Sequence, residues 1–91
     1  MTKTREEYVY GMSNESYPED TFKIGWTREH PSDRAESLYT SGVLNPFKVE
    51  FVIITPNGIK LEKEIHEHLK QFRIQSNREF FKIPKNELVK T

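Results

Sequence analysis

The sequence predicts an α+β domain with a small, mainly antiparallel sheet, and three observations carry that prediction. Two short segments rich in tyrosine and β-branched residues stand near the start, separated by turn-forming residues. A later run, Phe47 to Thr55, has unbroken strand character. Between Ile59 and Arg73 the apolar residues recur at helical spacing. Strands and helices in this mixed order fit one sheet with helices packed on it.

Glu7 to Met12 reads as the first strand. Asn14, Ser16, Pro18 and Asp20 then supply turn chemistry, and Thr21 to Trp26 reads as a second strand ending near Gly25. A hairpin with a loop longer than the tightest turns joins the two. His30-Pro31-Ser32-Asp33 opens a helix: proline is tolerated in the first turn, and an acidic residue suits the positive end of the dipole. That helix is expected to run to about Thr40, with Gly42 as its stop. Phe47 to Thr55 alternates at first and is then continuously apolar, the pattern of a strand covered on both faces, so a central position is expected. Pro56-Asn57-Gly58 breaks it. In the following helix, Leu61, Ile65, Leu69 and Phe72 form one apolar stripe. Glu79 to Ile83 is a short strand or extended segment, and Pro84 opens a last short helix carrying Leu88 and Val89.

A chain of 91 residues is one domain, spanning residues 1–91, with one thin core. Only 34% of it is hydrophobic, but six Phe, four Tyr and one Trp add large apolar area. The absence of cysteine excludes disulfides, thiolate catalysis and a thiolate zinc site. The first residues have no apolar run, and no stretch approaches the roughly 20 apolar residues of a membrane span. The expectation is a cytoplasmic or otherwise intracellular protein that does not engage a membrane. Fourteen basic residues balance fourteen acidic ones, which counts against tight nonspecific duplex binding. The balance is uneven, however. Residues 1–50 carry 6 basic and 9 acidic groups, and residues 51–91 carry 8 and 5, so the second half can present a basic face.

Several residues could carry chemistry. On a helical wheel of about 100° per residue, Glu62 lies roughly 65° from the centre of the apolar stripe, at the edge of the buried face. His66 and Arg73 fall within about 40° of it and form one flank with it. A lone half-buried carboxylate suits Mg²⁺ or Mn²⁺, which keep several waters and are held by one or two carboxylates plus substrate oxygens. It equally suits a residue that only complements the helix dipole. His66 and His68 point about 160° apart on a helix and cannot share a zinc ion. Tyr8 and Tyr10 share a strand face, either as core aromatics or with a hydroxyl turned into a site. A free tyrosine, with pKa about 10, is a weak base at neutral pH, and a cation such as Lys23 on the neighbouring strand would lower that value. Arg34, early in the first helix, is either solvated or a forked donor to a phosphate.

Tyr8-Val9-Tyr10, then Lys23-Ile24-Gly25 with Arg34, then Leu61-Glu62-Lys63-Glu64-Ile65-His66, then Glu79-Phe80-Phe81 together resemble the GIY-YIG nuclease superfamily. More narrowly they resemble a subgroup, common in phages, large viruses and some microbes, in which the second motif reads K-I-G. The likeness covers about residues 8–83. It implies a three-stranded antiparallel sheet flanked by helices and divalent-metal-dependent hydrolysis of DNA phosphodiesters. It assigns catalytic roles to Tyr10, Lys23, Arg34 and Glu62, with Glu62 holding Mg²⁺ or Mn²⁺. Tyr8, Arg28, His66 and Arg78 are the expected substrate contacts, with Arg73 a further phosphate contact. Tyr8 stands where the first motif has glycine, and Lys23 where most members have a second tyrosine. Asn77 is the nearest counterpart of the usual late asparagine. DNA is the expected partner, and a homodimer or a partner protein would supply target specificity, because the chain shows no zinc finger, helix-turn-helix or basic tail. The alternative is a catalytically inactive DNA- or protein-binding module on the same fold.

Overall fold

The structure is a computed structural model that describes residues 6–40, 42–74 and 79–90. Its elements run β1 (Glu7–Ser13), β2 (Thr21–Thr27), α1 (Pro31–Leu38), β3 (Lys48–Thr55), α2 (Gly58–His68), a 3₁₀ turn (Lys70–Phe72), β4 (Phe80–Lys82) and α3 (Lys85–Lys90). Among the described residues no helix is long and apolar enough to cross a membrane.

The strands form one antiparallel sheet in the order β3-β1-β2-β4. The α+β class and the antiparallel sheet flanked by helices are as the sequence predicts, with four strands rather than three because Phe80–Lys82 pairs with β2. The position of β3 differs from expectation. It is an edge strand, not a central one, and Val52, Ile53 and Ile54 are 42%, 40% and 63% exposed. A continuous apolar run records strand character but not how many neighbours the strand finds.

β1 and β2 pair through Tyr10↔Gly25 and Met12↔Lys23, so glycine rather than lysine stands directly opposite Tyr10. The hairpin loop closes with Asp20 at φ 63, and buried Asn14 accepts from the Ser16 N–H and donates to the Asn45 carbonyl. Side chains alternate across the sheet. One face contributes Val9, Phe22 and Ile24 to a core with Leu69, Phe81, Ile83 and Leu88, against which Leu61, Ile65 and Phe72 pack. The other face places Tyr10 and Met12 against Ala35 of α1.

α1 starts as expected. His30 caps it, its Nδ1 accepting from the Ser32 N–H, and Pro31 occupies the first turn. It ends at Leu38, about two residues before the expected stop, with Tyr39 as a non-helical C-cap (φ −85, ψ 86), and Gly42 does not take the left-handed conformation of a glycine cap. α2 begins at Gly58, where Asn57 Oδ1 accepts from the Lys60 N–H, and tightens into the 3₁₀ turn after buried Leu69, so the apolar stripe continues in a different helix type. Glu7 ties the two ends of the fold together. One of its carboxylate oxygens accepts from the Gly58 N–H at 2.7 Å and the other from Arg28 Nε at 3.1 Å. A Cβ on Gly58 would sit 3.1 Å from Trp26 and 3.2 Å from Glu7, so the close seat of this helix end on β1 and β2 depends on glycine.

Candidate functional site

β4 is short, and its length creates the site. It pairs with Thr21–Lys23, and the Glu79 carbonyl takes the Ile24 N–H at 2.9 Å, after which the outer edge of β2 has no further strand among the described residues. Backbone groups on an open edge need partners. α2 provides them with two side chains one turn apart. His66 Nε2 lies 2.9 Å from the Ile24 carbonyl, and an oxygen acceptor there requires that this nitrogen carry the proton. The Trp26 amide is close enough to the Glu62 carboxylate to favour its charged form. Glu62 and His66 thus continue the edge where β4 ends. The His66 ring also packs on Phe81, with centroids 4.9 Å apart.

Tyr10 is 1% exposed, and its ring crosses Gly25. A Cβ on Gly25 would lie 2.6 Å from the Tyr10 hydroxyl and 3.3 Å from Glu79 Oε1, so the missing side chain is what lets these two groups meet over β2. Arg34, from α1, favours the charged form of the Tyr10 hydroxyl through its donor groups and its positive charge. Lys23 is buried against Glu79, with Nζ 3.3 Å from Glu79 Oε1 and 5.6 Å from the centre of the Phe80 ring. Tyr10, Lys23, Arg34, Glu62, His66 and Glu79 therefore come from five elements or their borders to one strand edge.

The electrostatics follow from this packing. Burial raises the pKa of Tyr10 above its ordinary value of 10.0. The hydrogen bond and positive charge of Arg34 oppose the rise, while the charges of Glu79 and Glu62 add to it. The cation that bears on the phenol is thus Arg34 rather than Lys23, and its effect is outweighed by desolvation. Glu62 is also raised from its ordinary value, first by burial and then by the charge of Glu79. His66, the Trp26 amide and Lys23 pull it down.

Other residues singled out in the sequence lie further from this cluster or are otherwise committed. Arg28 pairs with Glu7 and lies 5.1 Å over the Trp26 ring. Tyr8 packs on His30, with centroids 5.9 Å apart. The Arg73 guanidinium lies 5.6 Å from the centre of the Phe81 ring. Arg78 and Asn77 lie outside the described residues. Glu79 is the member of the cluster that carries no role in the sequence analysis. Its one signal was its place at the head of the Glu79-Phe80-Phe81 string. A separate cavity of about 480 Å³ lies by the hairpin loop, bordered by Ser13, Asn14, Tyr17, Lys48, Glu50 and Lys85, and none of the six clustered residues lines it.

A small antiparallel α+β domain that gathers a phenol, two cations and two carboxylates at one open strand edge is the class that fold and site define. The chain belongs to the T5orf172 domain family, whose profile matches residues 7–91. That is a domain of phage and related nuclease-like proteins, which makes this chain a nuclease-like or DNA-binding module. No curated protein and no solved structure matches the chain.

Proposed function

We propose that the domain is a divalent-metal-dependent endonuclease that hydrolyses DNA phosphodiester bonds, a member of the GIY-YIG superfamily of the K-I-G type. What supports this reading is that the Tyr10 hydroxyl and Glu79 lie over Gly25, that Arg34 and Glu62 both act electrostatically on Tyr10, and that Lys23 pairs with Glu79. Family membership supports the same reading.

The donor chemistry at Glu62 fits a hard divalent cation. Its carboxylate is half-buried, its charge is disfavoured by burial and by Glu79, and the nearby acceptors are oxygens. Bound at Glu62, the ion would supply Lewis-acid stabilisation of charge on the phosphate.

The chain's own residues do the rest. Arg34 presents a planar, permanently charged fork to the phosphoryl oxygens as charge develops there. Lys23 adds a second fixed cation on the same face. Tyr10, held by Arg34, orients the attacking water. Because burial raises its pKa, the form of Tyr10 able to accept a proton is populated toward alkaline pH. His66, bonded to the Ile24 carbonyl, would hold α2, and with it Glu62, against the edge of β2. The test is nicking of supercoiled plasmid by the purified domain with Mg²⁺ and with EDTA, beside Arg34→Ala. Metal-dependent nicking that falls at least a hundredfold in the variant supports the assignment, and nicking unchanged by the variant removes Arg34 from it.

A second reading, a catalytically inactive DNA- or protein-binding module, draws support from the protonated state of Tyr10 and from the pairing of Lys23 with Glu79. Duplex binding without nicking in any divalent metal would favour it.

A further inference from the structure

We infer that Glu79 is a positioning residue of the site, holding the Lys23 ammonium between its own carboxylate and the Phe80 ring for contact with a phosphate oxygen of the DNA backbone. The inference rests on the nucleic-acid reading above and extends it to a residue with no assigned role. Three observations lead to it. Glu79 Oε1 lies 3.3 Å from Lys23 Nζ. The same oxygen lies 3.3 Å from where a Cβ on Gly25 would stand, beside the Tyr10 hydroxyl. The charge of Glu79 bears on both Tyr10 and Glu62, so it belongs to the cluster and not to its periphery.

A lysine side chain has four rotatable bonds and costs about 2 kcal/mol of rotamer entropy to immobilise. Here the carboxylate on one side and the Phe80 ring on the other fix the ammonium before any substrate arrives. Fixed charge placed in advance is worth more to a reaction than charge that must be ordered during it. The Lys23 side chain is 11% exposed and that of Glu79 is 49% exposed, so the pair lies at the rim of the site, with the acid on its outer side.

The backbone of Glu79 closes the ladder through the Ile24 N–H, and Phe80 and Phe81 are buried. The pair joins a buried lysine to a half-exposed acid, so thermal melts also read what it adds to stability. A carboxylate beside a phosphate-binding site also repels the substrate unless it serves another group, so the sign of its effect on DNA affinity reveals its role.

The experiment is a double-mutant cycle on the folded domain, with Glu79→Gln, Lys23→Met and the double variant. Duplex affinity is measured in Ca²⁺ by fluorescence anisotropy, and thermal melts confirm that each variant is folded. With Lys23 present, Glu79→Gln is expected to weaken binding by roughly threefold or more, within the range for coupled charges in contact. With Lys23→Met, the same change is expected to tighten binding, since only repulsion remains. Glu79→Asp should restore part of the wild-type affinity. Tightening by Glu79→Gln in both backgrounds, or no effect in either, overturns the inference. Plasmid nicking by the wild type judges the catalytic reading separately. A domain that nicks while the cycle shows no sign change loses the role of Glu79 alone, and a wild type that binds no duplex loses both.

Discussion

The hydroxyl of Tyr10 occupies space that any side chain on Gly25 would need, 2.6 Å from the position of its Cβ. The two residues face each other across the β1–β2 ladder, so neither can move without shearing the central pair of strands. Gly25→Ala should therefore push the Tyr10 ring off Arg34 and cost about 1–3 kcal/mol, the usual range for overpacking. Urea unfolding gives the stability loss, and nicking should fall more than the folded fraction does. A variant as stable and as active as wild type would show that the ring does not need this passage.

Tyr10 titrates above its ordinary value of 10.0. The nicking rate should then climb with pH between 7 and 9 without a plateau, because the proton-accepting form is still being populated. Tyr10→Phe should give a low profile lacking that rise. The stability consequence has the same sign. A raised folded-state pKa contributes stability below the unfolded value of 10, and this contribution is lost as pH climbs through the folded value. Alkaline unfolding followed by tyrosine absorbance measures it directly.

Glu62 is raised from its ordinary value of 4.5 by burial, so ionising it costs the folded state. Relative to the neutral form, that cost is absent below the unfolded pKa and complete once pH has passed the folded one. Glu62→Gln should raise the melting temperature at pH 7, and the gain should disappear by about pH 4. Mn²⁺ should reverse the order. It should stabilise the wild type at pH 7, less so at pH 5, and leave Glu62→Gln unaffected, because the ligand must be deprotonated. Differential scanning fluorimetry across pH, with and without metal, reads both effects.

Glu7 is buried and accepts from the Gly58 N–H and from Arg28. Glu7→Ala should cost about 2 kcal/mol or more, since it strips the first turn of α2 of its acceptor and leaves Arg28 unpaired. Arg28→Ala, at a half-exposed side chain, should cost under about 1 kcal/mol. Equal losses in chemical denaturation would show that the ion pair, and not the bond to α2, is what Glu7 contributes.

Much of the fold was legible in the sequence because local signals and tertiary demands agree. The strand segments around Tyr10 and Lys23, the His30-Pro31 helix start and the Leu61–Ile65–Leu69–Phe72 stripe all lie where periodicity and capping chemistry put them. Glu62 lies at the edge of the buried face, as its angle from that stripe required. The rest depended on long-range facts. Whether β3 ends at an edge is decided by which strands reach β1 and β2, and no residue of β3 encodes that. The partner of Tyr10 is fixed by register, which set Gly25 opposite it and left Lys23 to Glu79. Glu79 escaped notice because a carboxylate before a short strand is ordinary until β4 stops beside Gly25.

The central claim is that Tyr10, Arg34 and Glu62 act on one phosphodiester, and the most direct test is a single-turnover nicking assay on supercoiled plasmid in Mg²⁺ with Glu62→Ala beside the wild type. The account predicts nicking by the wild type and a loss of at least about a hundredfold in a variant that remains folded, the scale of removing a principal electrostatic contributor. Undiminished nicking by Glu62→Ala would contradict it.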